Sequence, residues 1–138
     1  MFRPLQIVVI ATISVVAFGA GWMCAGAASP TPGVIRHMLL KEDMSLPGRE
    51  AIMAMVELPP GAAEGRHTHP ADVYAFVLEG APTLEVEGRP TITLKAGDVF
   101  HVPPGKVHQG INNGTQTVKL AAVFVAEKGK PLTTQVTP

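Results

Sequence analysis

From Val34 onward the sequence is a series of short apolar or alternating runs broken by glycine and proline, and no stretch sustains a helical period for more than a turn or two. The runs are VIRHMLL (34–40), AIMAMVEL (51–58), VYAFVLE (73–79), TLEVE (83–87), TITLK (91–95), DVFHV (98–102) and VKLAAVFVAE (118–127). Between them fall LPG, PPG, EGAP, EGRP, KAG, PPGK and NNG, which are turn chemistry. Short strands at regular spacing bury their apolar faces only by closing on each other, so this pattern predicts a sandwich or barrel. TLEVEGRPTITL reads as a hairpin, with Leu84 and Val86 inward and Thr83, Glu85 and Glu87 toward solvent. Met53, Met55, Leu58 and Phe124 fit an adaptable ligand pocket, but filling of the core is the simpler expectation.

The first 28 residues differ in kind. Arg3 precedes an uncharged apolar stretch from Leu5 to Met23, and Ala25-Gly26-Ala27 offers a small-residue cleavage site. Residues 1–28 therefore read as a secretory signal peptide or, because the run approaches the roughly 20 residues of a spanning helix, as an uncleaved N-terminal anchor. Trp22 and Met23, bulky just before Cys24, disfavour a lipoprotein signal. SPTPG (29–33) reads as an extended tether, which leaves residues 34–138 as one domain. Both readings put that domain outside the cytoplasm, in periplasm or medium. The single cysteine, Cys24, falls in the N-terminal segment, so the domain has neither a disulfide nor a thiolate ligand. Setting aside Arg3 leaves 10 of the 11 Lys and Arg residues against 11 Asp and Glu, with no basic run, and a nucleic-acid partner is not expected. Membrane contact is expected only through the N-terminal segment, if it is retained.

GRHTHPADVYAFVLEG (65–80) places His67 and His69 two apart, so in an extended chain both imidazoles share a face. Two ligands rarely hold a metal, and His108, after the tight PPGK turn, is the residue that can complete the set. These stretches resemble the two motifs of the cupin superfamily. The first, G-x5-H-x-H-x3-E-x6-G, is matched at Gly61, His67, His69 and Gly80. The second, G-x5-P-x-G-x2-H-x3-N, is matched throughout, at Gly97, Pro103, Gly105, His108 and Asn112. The resemblance covers about residues 50 to 126. It implies an all-β, single-domain antiparallel β-barrel of jelly-roll type, with metal ligands His67, His69 and His108 pointing into its mouth. The implied cofactor is a divalent transition metal: iron, manganese, nickel, copper or zinc.

The departure is at Val73, where the motif has glutamate. Valine cannot coordinate. Asp72 is adjacent, but alternation sends it to the opposite face unless a β-bulge re-aims it, and Tyr74 has the same parity. Asp72 and Tyr74 are thus alternative ligands only with a bulge. His101 is read either as a hydrogen-bonding neighbour of a ligand or as an outward-facing strand residue. Asn112 is read as tying its turn, with contact to bound water as the other option. Arg66 and His37 are expected in solvent, and Glu64 is the nearest remaining acidic residue by sequence. Three neutral imidazoles leave a divalent ion its full charge, which favours anions and leaves the site without the usual carboxylate base.

The expected function is metal-dependent binding of a small polar or anionic molecule. By resemblance, oxidative, dioxygenase-like or isomerase-like conversion of an enolisable or phenolic substrate could follow. The alternative is a non-catalytic periplasmic binder of a small molecule or metal. Exposed strand edges admit a homodimer, with the tail FVAEKGKPLTTQVTP (124–138) packing on a neighbour.

Overall fold

The computed structural model describes residues 33–137, so the proposed signal or anchor (1–28) and all but the last residue of the tether lie outside the described residues. Ten strands follow one another in the described residues: β1 (Ile35–Asp43), β2 (Arg49–Leu58), β3 (His67–Thr68), β4 (Ala71–Glu79), β5 (Thr83–Val86), β6 (Ile92–Thr93), β7 (Val99–Val102), β8 (His108–Ile111), β9 (Val118–Glu127) and β10 (Thr134–Gln135). They form two five-stranded sheets, ordered β1-β2-β9-β4-β7 and β10-β3-β8-β5-β6, and every pairing is antiparallel. This is the all-β jelly roll that the family resemblance implies.

Each of the seven sequence runs contains a strand, and β5 and β6 form the expected hairpin, with Thr83 opposite Thr93 and Leu84 opposite Ile92. Three short strands, β3, β8 and β10, have no hydrophobic run of their own. Two of those carry the candidate ligands.

Strict alternation builds the core. In β2 and β9 every second residue is buried, and β4 keeps the same rhythm from Ala71 to Val77. Register then stacks the inward residues of the three strands into tiers. Ile52, Phe124 and Val73 lie side by side, then Ala54, Ala122 and Ala75, then Val56, Leu120 and Val77. Leu58, Val77 and Val118 are fully buried, and each such side chain contributes about 1.5–3 kcal/mol of hydrophobic stabilisation. The middle tier is all alanine and leaves room. A cavity of about 180 Å³ lies over it, between the sheets.

One expectation changes here, and the tail finds a place on its own barrel. Met53 and Met55 sit at the outward positions of β2, so of the four residues weighed as core or pocket only Leu58 and Phe124 are buried inside. The tail also turns back on its own barrel: Thr134 and Gln135 pair with Thr68 and His67, and Val136 N–H donates to Arg66 C=O at 2.8 Å. The unpaired edge of β3, open once β8 has taken its other side, is what the tail satisfies.

Gly80 closes β4 at φ +79°, where an added Cβ would stand 2.8 Å from Val118 Cγ2 and 3.0 Å from Val118 Cα. Gly88, in the hairpin turn at φ +78°, has open space around it. Urea denaturation should therefore find Gly88→Ala destabilised by about 1 kcal/mol, from backbone strain alone. Gly80→Ala should lose about 2–4 kcal/mol, because overpacking adds to that strain. Equal losses in the two variants would mean that the contact with Val118 is not what fixes this turn.

Candidate metal centre

His67 lies directly opposite His108 in the β3–β8 register, so their side chains leave the same face of the sheet. His69 follows two residues after His67, in the link at which the chain leaves β3 and enters β4 in the other sheet. The main chain of that link is fastened by Gly105 N–H donating to His69 C=O at 2.9 Å. Sequence positions 67, 69 and 108 thereby converge, with one donor atom from each within 4.8 Å of the others and all three residues buried.

The orientation of each ring is set by a main-chain acceptor. Nδ1–H of His67 donates to Gly65 C=O at 2.7 Å, that of His69 to Leu132 C=O at 2.6 Å, and that of His108 to Lys106 C=O at 2.9 Å. A carbonyl accepts only, so Nδ1 carries the proton in each ring and Nε2 carries a lone pair. His67 Nε2 and His69 Nε2 stand 3.1 Å apart. Two lone pairs at that distance repel unless a cation lies between them. Nitrogens bound to one metal at about 2.0–2.1 Å would be separated by about 2.8–3.4 Å, from right-angled to tetrahedral geometry. The donor set therefore fits a metal ion. Phe124 packs edge-on against His69, with centroids 5.0 Å apart, and fixes that ring from the side of the apolar wall.

Burial also favours the neutral form of two of the rings, His69 and His108. His69 has its pKa lowered from 6.5 to about 4, first by desolvation and then by the charges of His67, His108 and Arg36, against the opposing hydrogen bond to Leu132. His108 is lowered chiefly by desolvation, opposed by its bond to Lys106 and by the Glu64 carboxylate. Neutral imidazole is the ligand form.

Val73 is buried and lines the same cavity as the three histidines. Its inward parity holds because the only register shift between β4 and β9 lies between Val77 and Glu79, well past it. No bulge turns Asp72 inward. Asp72, Tyr74 and His101 instead meet on the outer face of β4 and β7: Asp72 Oδ1 lies 2.8 Å from His101 Nε2, and the His101 ring stacks on Tyr74. These three residues are thus neither ligands nor neighbours of the histidine cluster. Asn112 is buried away from the cavity. Its Nδ2 donates to Leu58 C=O at 2.8 Å and Gln116 C=O at 2.7 Å, while Oδ1 accepts from Gly114 N–H at 2.9 Å, so it ties the turn after β8 to the end of β2. Arg66 is exposed, and His37 stands in solvent beside Glu57.

Sequence reasoning missed one cavity residue, Arg36, and underweighted another, Glu64. Glu64 Oε1 accepts from Arg36 Nη2 at 3.0 Å and Oε2 from Gly110 N–H at 3.0 Å, and both side chains line the cavity. A Cβ on Gly110 would come within 2.8 Å of Glu64 Oε2, so the carboxylate fills the space a side chain would take two residues along from His108. The glycine was the available signal: an alternating strand that lacks one inward side chain marks a close approach.

Comparison with known proteins agrees with this architecture. A family model described as "Cupin domain" matches residues 54–124. A germin-like protein (subfamily 2 member 1) of Arabidopsis thaliana is 37% identical over 91 residues, covering 59% of this chain and 41% of the relative. An oxalate-binding protein of Thermotoga maritima is 32% identical over 91 residues, covering 64% of this chain and 72% of the relative. Among solved structures, the DMSP lyase DddQ of Ruegeria pomeroyi superposes with a TM-score of 0.65 at 20% identity, over 76% of this chain and 52% of that one, a likeness of fold. The chain thus spans about two-fifths of the germin-like protein's length and about half of the lyase's.

The lowered pKa of His69 has a thermodynamic consequence. Unfolded, the ring takes a proton near pH 6.5; folded, only near pH 4, so between these values the unfolded chain binds more protons. Stability of the metal-free protein should be level above pH 6.5 and fall as pH drops from there toward 4, as read by urea midpoints at successive pH values. His69→Gln should flatten that slope, and an identical slope in the variant would refute the assignment.

Proposed function

The chain belongs to the cupin family, and from that membership we propose that it binds a divalent transition metal through Nε2 of His67, His69 and His108 and holds a small polar or anionic molecule there. One observation carries the reading: three buried imidazoles have committed Nδ1–H to main-chain carbonyls, which leaves all three Nε2 atoms free in one cluster. Iron, manganese, nickel, copper and zinc all accept such a donor set. An ion held by three neutral ligands keeps its full double charge, and the chemistry it supplies is Lewis acidity toward an anionic oxygen. The protein's part is to aim the three rings through their carbonyl bonds and to surround the bound molecule with a wall that excludes water.

Capture of a small acid is supported by the likeness to the oxalate-binding protein of Thermotoga maritima. A second reading, dioxygenase-like turnover of the captured molecule, is supported by Val73. With a valine where the family motif carries its glutamate, three protein ligands leave more of the metal's coordination open to substrate and oxygen. The uncharged apolar run that follows Arg3 supports an exported protein, acting in periplasm or medium or held at a membrane by that segment.

Metal analysis of protein purified without chelator is the first test. Wild type should hold about one transition-metal ion per chain, as a three-ligand protein site does, and His108→Ala should lose most of it. Trace metal in wild type, unchanged in the variant, would remove the reading. Oxygen uptake over catechols, diketones and flavonols then separates turnover from capture. Val73→Glu should tighten metal retention or change the preferred metal; indifference to that change would mean the position 73 side chain does not face the ion.

A further inference from the structure

The cavity beside the histidines is unlike a site for a molecule polar all over. Its floor is the Ala54–Ala122–Ala75 tier, and Leu84, Leu94 and Phe100 add further apolar wall. Among the described residues, the charged or titratable side chains lining it apart from the histidines are Arg36 and Glu64. Glu64 is immobilised from two sides, by Gly110 N–H and by Arg36 Nη2, and has little exposure of its own. Arg36 is different. Its side chain is 45% exposed and bonds Glu64 through one terminal nitrogen. A guanidinium carries five N–H donors, so this pairing leaves most of them for a ligand. Glu64 aims the fork and Arg36 keeps capacity to use it.

On the reading that the three histidines hold a metal which attracts an anion, we propose that the ligand is an amphiphilic monocarboxylate, with its head between Arg36 and the histidine cluster and its apolar body over the alanine tier. The space of about 180 Å³ suits a short alkyl chain or a single ring. A bidentate Arg–carboxylate contact would fix the head's orientation. A second carboxylate at the far end of the ligand would be buried against the alanines with no partner, a heavy penalty. Arg36 is in this account the residue that selects for the acid, and Ala122 the residue that selects for the body.

The test uses the zinc-loaded protein and four probes: acetate, hexanoate, adipate and hexanamide, titrated by calorimetry with bound zinc measured on every sample. Hexanoate should bind at least about tenfold more tightly than acetate, from the extra buried methylenes, and than adipate. Arg36→Gln should weaken hexanoate by at least about tenfold, the scale of a lost charge-assisted hydrogen bond, while leaving bound zinc and hexanamide affinity unchanged. Because that variant leaves Glu64 without its cation, Arg36→Gln/Glu64→Gln is measured beside it and should behave alike. Ala122→Val should bring hexanoate toward acetate's affinity and leave acetate as it was. Equal binding of hexanoate and adipate, no measurable hexanoate binding, or full affinity in both Arg36 variants would overturn the proposal while zinc retention leaves the metal reading standing. Absence of zinc from wild type would overturn the metal reading instead, and the same titrations on that protein still report whether Arg36 selects the acid.

Discussion

Three hydrogen bonds from imidazole Nδ1 to main-chain carbonyls organise the interior of this barrel. Each carbonyl belongs to irregular backbone rather than to a ladder: Gly65 before β3, Lys106 before β8, and Leu132 in the tail before β10. The acceptors are therefore fixed by turns, and the turns by the strands on either side. Any slip of β3 against β8 would separate His67 from His108, because they are directly opposed. The tail has a share in the site as well, since Leu132 holds His69 and β10 covers the edge of β3.

The same arrangement decides the electrostatics. His69 and His108, buried among apolar walls, lose protons easily, and their carbonyl bonds only partly offset that tendency. Val73 puts an apolar side chain into the cavity at the position where the family motif carries its glutamate. The protein does have a carboxylate in the cavity, Glu64, but it reaches in from the loop before β3 and is balanced by Arg36. Charge at the cavity is thereby organised as a bonded pair, the Arg36 cation and the Glu64 anion.

The strand runs, the hairpin at 83–93, the inward parity of Val73 and the three histidines were all legible, because alternation and turn chemistry are local properties. Alternation also predicted that Asp72 would face away in the absence of a bulge, and the partner it found outside was His101. The roles of Asn112 and His101 were less transparent. Asn112 and His101 look equally available for a site in sequence, yet one is a turn clasp and the other stacks on Tyr74. What separates them is which sheet face each strand turns inward. Met53 and Met55 illustrate the same difficulty, since β2 is apolar at both parities and its sequence does not say which face is the core.

The amino-acid sequence by itself determined the all-β class, since strand periodicity is carried by neighbouring residues, and its two motifs singled out His67, His69 and His108 and the valine at position 73. Only the tertiary structure decided that three alanines from β2, β4 and β9 fall in one row and open a cavity, and that Arg36 and Glu64 meet at it. Those outcomes depend on register between strands far apart in the chain. Register is set by the sum of many cross-strand contacts, which no single segment specifies.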